Sequence, residues 1–218
     1  MTAAALPAVP SAARDVFGSR LDLALRYAER LADDGVVRGL LGPREVPRLW
    51  ERHLLNCAVL TDLVPPGARV VDVGSGAGLP GLAMVCRRAD LRADLVESLG
   101  RRVAFLTETV TALGLDGVVR VVHGRAEGRT VQAVVGDAEW VTARAVAPLD
   151  RLVRWCVPLL RPGGTLLAMK GARAEAEVAA LGRTPGLRVS VVRCGRHTLD
   201  TPVTVVAVER DRAWRGRD

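Results

Sequence analysis

The stretch VVDVGSGAGLPG, residues 70–81, places three glycines, Gly74, Gly76 and Gly78, directly after a Val-rich run and just before a helical one. Glycines in that position permit positive φ and bring backbone amides close to a ligand. Ser75 and Leu79 lie within the same loop, and Pro80 suits the first turn of the helix that follows, where its missing N–H costs nothing. Asp72, inside the run two residues before Gly74, is a carboxylate placed to orient the loop and to face a cationic group. Glu97 closes the next apolar run, where it can accept hydrogen bonds from two ribose hydroxyls. In GRAEGR, residues 124–129, Ala126 and Glu127 can frame an adenine edge.

These residues point to a nucleoside cofactor. Gly76, Gly78 and Gly81 satisfy GxGxxG, so the loop by itself does not separate a nicotinamide cofactor from S-adenosylmethionine. Asp72 favours the second, because a pyrophosphate would be repelled by a carboxylate there. Two cations follow the fourth and fifth apolar runs. Arg144 is placed to hold a cofactor carboxylate or a target nucleotide; Lys170, a lone lysine in an arginine-rich chain, suits a phosphate or the polar edge of a base. There is no Ser-His-Asp order, no acid pair and no His-rich ligand spacing, so no metal is expected. Cys57, Cys86, Cys156 and Cys194 form no CxxC pair and read as buried thiols. A short-chain oxidoreductase would need a Tyr-x-x-x-Lys pair, which Tyr27 does not supply.

The elements that must position these groups follow from patterning. The 218 residues suffice for one domain with an appendage, and 49% hydrophobic with 25% charged residues describes a soluble globular chain. From residue 69, short apolar runs at 69–73, 92–97, 118–122, 140–143 and 165–169, several of them rich in valine, alternate with helical spacing at 80–88, 100–114 and 148–160. That alternation predicts a parallel sheet covered on both faces. A helix near 172–181 precedes two runs, 187–194 and 202–210, joined too closely for a crossover and so antiparallel. Ahead of the sheet, 12–32 and 50–63 read as helices. The division expected is a loose tail over 1–12, a helical cap over 13–66, the sheet domain over 67–210 and a basic tail over 211–218, all in one structural unit. The opening residues lack the basic start of a secretory signal.

The net charge of +7 favours a polyanionic partner. Arg101, Arg102, Arg125, Arg129 and Arg196 fall near the ligand edge and are candidates for phosphate contacts. With 3% aromatic residues, base stacking has little to work with, so recognition would rest on shape and phosphate charge.

HLLNC after Trp50-Glu51-Arg52, then DVGSGAGLPG, LVESLGRRVAFL, HGRAE, TARAVAPL and LLAMKG in that order, resembles the bacterial small-subunit rRNA (guanine-N7) methyltransferase G family, over about residues 15–208. The resemblance implies a Rossmann-like class I methyltransferase fold, with a seven-stranded sheet ending in an antiparallel hairpin and preceded by helices. It implies methyl transfer from S-adenosylmethionine to N7 of a guanine in 16S rRNA, within the 30S subunit and in the cytoplasm. Gly74, Leu79, Ala126, Glu127 and Arg144 match the family's cofactor-contact positions, and Arg52 and His53 fall on a cap over the active site. With Arg144 and Lys170, His53 makes up the expected catalytic set; Arg52, Arg101, Arg102 and Arg196 make up the RNA-contacting set. Asn56-Cys57 stands where the family leads one to expect Asp-Ser. Guanine N7 carries a lone pair and no proton, so the transfer needs alignment and no general base. The chain is expected to act as a monomer with no membrane or DNA partner. The competing reading is a non-enzymatic RNA-binding or assembly factor on the same scaffold.

Overall fold

A computed structural model describes residues 6–214. Seven strands form one sheet: β1 (Arg69–Val73), β2 (Arg92–Glu97), β3 (Val119–His123), β4 (Ala138–Arg144), β5 (Leu160–Met169), β6 (Leu187–Cys194) and β7 (Val203–Arg210), in the order β3-β2-β1-β4-β5-β7-β6. The first five are parallel, as expected. The terminal hairpin is antiparallel, and β7 inserts between β5 and β6. Of the two hairpin strands, only β7 therefore runs against the rest. The fold is the Rossmann-like arrangement expected of a class I methyltransferase.

Each strand sends alternate residues to opposite faces. Val70, Leu95 and Leu167 join one core with the helices α1 (Ser11–Phe17), α2 (Leu21–Ala32), α5 (Gly81–Arg87) and α6 (Gly100–Ala112). Val71, Val141 and Leu166 join the other with α7 (Arg129–Val135) and α8 (Leu149–Cys156). Helix α8 shows why it lies there: Leu149, Leu152, Val153 and Cys156 are buried at the spacing of one helical face.

Several elements differ from expectation. The helix expected over 12–32 is interrupted, because Gly18 takes φ +50° after Phe17 and ends the first segment. A turn, α3 (Asp34–Val37), follows α2. The helix expected over 50–63 starts earlier and is irregular: a 3-10 segment Pro43–Arg48, a π-helical segment Leu49–Leu55, a turn α4 (Asn56–Ala58) and a further 3-10 segment Val59–Leu63. Strand β5 begins at Leu160 rather than 165, since Arg-Pro-Gly-Gly, which reads as a turn, continues the strand past an irregularity in β4. Gly164 is required there, because a Cβ would lie 2.7 Å from the Ala138 carbonyl oxygen. Pro80 is the N-cap of α5 and not its first residue. The last helix is α9 (Ala174–Leu181).

Both ends of the described chain make contacts with the body of the domain. Leu6 and Val9 pack on the core, and α1 begins at Ser11. Arg210 donates to the Leu160 carbonyl and stacks 4.7 Å from the Trp214 ring centroid. Of the tail arginines, Arg212 is exposed, and Arg215 and Arg217 lie outside the described residues.

One long-range contact ties the helical segment to the glycine loop. Tyr27 of α2 is fully buried, and its hydroxyl donates to the Ala77 carbonyl at 2.8 Å. Tyr27→Phe removes the donor and leaves that carbonyl unpaired, so urea unfolding should show a loss of about 1–3 kcal/mol. A loss below about 0.5 kcal/mol would mean that the bond does not hold the loop.

Candidate active site

The strand order reverses direction between β1 and β4, and in open α/β sheets ligands bind beyond the carboxyl ends of the strands at such a point. The loop after β1 sits there and is stitched to its surroundings. Gly74 and Ser75 N–H donate to the Val96 carbonyl, Gly78 and Leu79 N–H to the Ser75 carbonyl, Gly76 N–H to Glu97 Oε2 and Gly81 N–H to Asp72 Oδ2. Six loop amides are thus satisfied within the protein. This differs from a phosphate-binding loop, whose amides converge on the anion. The groups behind the loop are carboxylates, so the cradle fits a nucleoside with a cationic group and not a pyrophosphate. Gly76, at φ +58°, has nothing nearer than 3.8 Å to a virtual Cβ and presents the open side of the cradle.

Asp72 is fully buried on the side of the sheet that carries α5. Its Oδ1 accepts from the Thr142 hydroxyl at 3.0 Å and its backbone carbonyl from the Ser75 hydroxyl at 2.9 Å. Asp72 and Ser75 shape the loop from behind, which for Asp72 is the loop-orienting part of its expected role. Gly78 is likewise buried, with a virtual Cβ 2.5 Å from Leu82 and 2.8 Å from the Tyr27 hydroxyl, so its missing side chain serves packing. Glu97 Oε1 accepts from the amides of Ser98 and Leu99, and Arg102 approaches Oε2 at 3.6 Å.

Burial pushes the Asp72 carboxyl up to about 6, against the bonds from Gly81 and Thr142 that favour its charge. Because the folded value lies above the unfolded one, this group's contribution to stability is fully present below about pH 4. It is lost as pH rises through about 6. Asp72→Asn keeps the shape: its oxygen can accept from Gly81, while the Thr142 hydroxyl rotates to accept from its amide. The stability difference, variant minus wild type, should grow by about 3 kcal/mol between pH 4 and 7.5 in thermal unfolding. A difference independent of pH would contradict the burial argument.

Across the switch point, Arg144 at the end of β4 is gripped by the π-helical segment, a widened turn frequent at functional sites, and by the turn that follows it. Its guanidinium donates to Cys57 Sγ at 2.9 Å, the Arg52 carbonyl at 3.3 Å and His53 Nδ1 at 2.6 Å. His53 is 8% exposed with both ring nitrogens engaged, the other facing Glu45 Oε2 at 2.9 Å. It stands behind Arg144 and is not among the residues lining the cleft. Burial and the Arg144 charge hold its pKa below the ordinary histidine value. Burial pushes the Cys57 thiol up. All four cysteines are buried and free, but Cys57 is more than filler because it receives Arg144.

Lys170 is also committed inside the protein. Its ammonium lies 2.8 Å from Glu177 Oε2 and donates to the Ala147 carbonyl at 2.7 Å; Glu177 in turn accepts from the Leu149 amide at the start of α8. The pair pins the loop after β4, where Ala145 holds φ +53° and Val146 leans over Gly74.

Val146 also lines a cleft of about 1610 Å³ between the N-terminal segment, the loops after β4 and β5, and the terminal hairpin. Small-molecule pockets measure about 300–1,000 Å³, so this one suits part of a larger ligand. Its cations are Arg48, Arg52, Arg144, Lys170, Arg173 and Arg193, against Glu51, Glu177 and Asp200. Of the residues read as RNA contacts, Arg52 lines it, whereas Arg101 and Arg102 start α6 on the Glu97 side, and Arg196 is exposed in the β6–β7 turn. Arg48, Arg173 and Arg193 were not singled out in the sequence; Arg173, three residues past Lys170 at the same edge, carried the one usable signal. Ala126 is buried after β3, and Glu127 is exposed and paired with Arg125 at 3.0 Å. Among the described residues no group of three His, Cys, Asp or Glu is placed to hold a metal, and no helix is long and apolar enough to cross a membrane.

The family model GidB, rRNA small subunit methyltransferase G, matches residues 20–196. The chain is 54% identical over 215 residues to the ribosomal RNA small subunit methyltransferase G of Salinispora arenicola, covering 94% of this chain and 88% of that one. It is 54% identical over 217 residues to the protein of the same name from Mycolicibacterium smegmatis, covering 98% and 92%. Among solved structures, the mitomycin 7-O-methyltransferase MmcR superposes with a TM-score of 0.59 at 21% identity, over 84% of this chain and 60% of that one, a likeness of fold.

Proposed function

Because the chain belongs to the rRNA small subunit methyltransferase G family, we propose that it transfers the methyl group of S-adenosylmethionine to N7 of a guanine in 16S rRNA, acting on the 30S subunit in the cytoplasm. One observation carries this reading beyond the family. A glycine loop with satisfied amides and carboxylates behind it meets, at Val146, a basic cleft too large for a small substrate.

S-adenosylmethionine supplies a methyl group already activated on a sulfonium centre. Gly74, Gly76, Leu79 and Glu97 form the cradle on one side, Ala126 and Glu127 border the base, and Asp72 fixes the loop and sets a negative charge behind it. Arg144, held by three acceptors, presents its fixed charge at the junction of cradle and cleft. Arg48, Arg52, Arg173 and Arg193 meet RNA phosphates in the cleft, with Arg101, Arg102 and Arg196 as outlying contacts. The lone pair of N7 needs no proton removed, so the residues have to align two reactants and exclude water. The interior arrangement suits that requirement, since both ring nitrogens of the buried His53 are already engaged and Lys170 and Glu177 neutralise each other.

The test is incubation of the protein with labelled S-adenosylmethionine and 30S subunits from a strain lacking this gene, followed by nucleoside mass spectrometry. Label in 7-methylguanosine is expected. Label in another nucleoside would overturn the N7 assignment, and salt-sensitive RNA binding with no transfer would favour an assembly factor.

A further inference from the structure

Glu45 lies in the 3-10 segment Pro43–Arg48, ahead of the π-helical turn that carries His53. Nothing in its sequence context distinguishes it. In the fold its Oε2 lies 2.9 Å from His53 Nε2, and His53 Nδ1 lies 2.6 Å from the Arg144 guanidinium. A guanidinium has only donors, so Nδ1 must accept. The ring proton is therefore on Nε2, donated to Glu45. The charged groups facing the ring are Glu45, Arg144 and Arg52, whose Nε also lies 3.4 Å from Glu45 Oε2. A ring protonated at Nδ1 would point a proton at Arg144 and displace it.

We propose that Glu45 is a positioning residue for methyl transfer: it locks His53 in the Nε2–H form, and that form holds the Arg144 guanidinium in one orientation at the junction of loop and cleft. The proposal rests on the methyltransferase reading of the site. It assigns a function to a carboxylate that does not itself line the cleft, although it also pairs with the cleft-lining Arg52. The arrangement has the logic of a carboxylate–imidazole pair that fixes a tautomer for the group beyond it.

The full-length chain has three histidines, His53, His123 and His197, so long-range proton–nitrogen correlation spectra of labelled protein resolve each ring, with His123→Gln and His197→Gln giving the assignments. Wild type should show His53 protonated at Nε2 at pH 7.5. Glu45→Ala should mix the two tautomers and lower kcat on 30S subunits about tenfold, with S-adenosylmethionine affinity within twofold. Glu45→Gln still offers an acceptor to Nε2–H, so it should keep the tautomer and recover kcat to within threefold of wild type. An Nδ1–H ring in the wild type overturns the proposal without any variant. So does a mixed tautomer in Glu45→Ala with undiminished kcat, or a Gln variant as slow as the Ala variant. No methylation by the wild type would remove the functional reading and the proposal with it, while the tautomer spectrum would still report whether the lock exists.

Discussion

Gly76→Asp should leave the protein folded and lower its affinity for S-adenosylmethionine at least 100-fold, about 2.7 kcal/mol of binding free energy. Gly76 holds φ +58°, a region that aspartate tolerates better than most residues, and its virtual Cβ meets nothing closer than the Gly74 carbonyl oxygen at 3.8 Å. The folding cost is therefore about 1–2 kcal/mol. The new carboxylate, however, would enter the open side of the cradle beside Glu97, which already accepts the Gly76 amide at 3.0 Å. Titration calorimetry with the cofactor and a thermal melt separate the two effects. Undiminished affinity would overturn the assignment of the loop. Gly78 is the contrast, because a side chain there strikes Leu82 and the Tyr27 hydroxyl and should fail through packing.

That contrast shows how far the sequence could be read. Three glycines of one motif look alike on paper, yet one borders open space, one lies under Val146 and one lies against a tyrosine 51 positions earlier in the chain. Strands β1 and β6 were legible to the residue because runs such as RVVDV and LRVSVVRC have the Val-rich, branched character a pleated sheet selects. Helix α7 was not, since RTVQAVV is short and its three valines and threonine suit a strand as well as a helix, and β5 was shortened because Pro-Gly-Gly normally stops a strand. At the site, Arg144 and Lys170 could be placed on the correct sheet edge from strand order alone. Their partners could not. His53 and Glu177 reach them across 91 and 7 positions, through an irregular helix and a helix start that no periodic pattern encodes. Local patterning fixes which edge a side chain occupies, whereas tertiary packing decides whether it faces a ligand or a neighbour.

The second large effect follows from that distinction. Arg144→Lys conserves charge, so if Arg144 were only a cation beside the cleft the change would be mild. In the fold, however, its one planar fork reaches a thiol, a backbone carbonyl and an imidazole nitrogen at once, joining β4 to the helical segment. A lysine ammonium is a point donor on a flexible stem and can satisfy at most part of that set in one position. The His53 Nδ1 and the Arg52 carbonyl would lose their donor, and the cation would no longer be fixed. Misplacement by about 1 Å is enough to cost roughly 100-fold in an aligned bimolecular transfer. We therefore expect kcat for 30S methylation to fall about 100-fold in Arg144→Lys, with the melting temperature lowered by a few degrees and cofactor affinity changed less than fivefold. A rate within threefold of wild type would show that charge alone suffices, and that the grip of the π-helical turn on Arg144 serves stability and not the reaction.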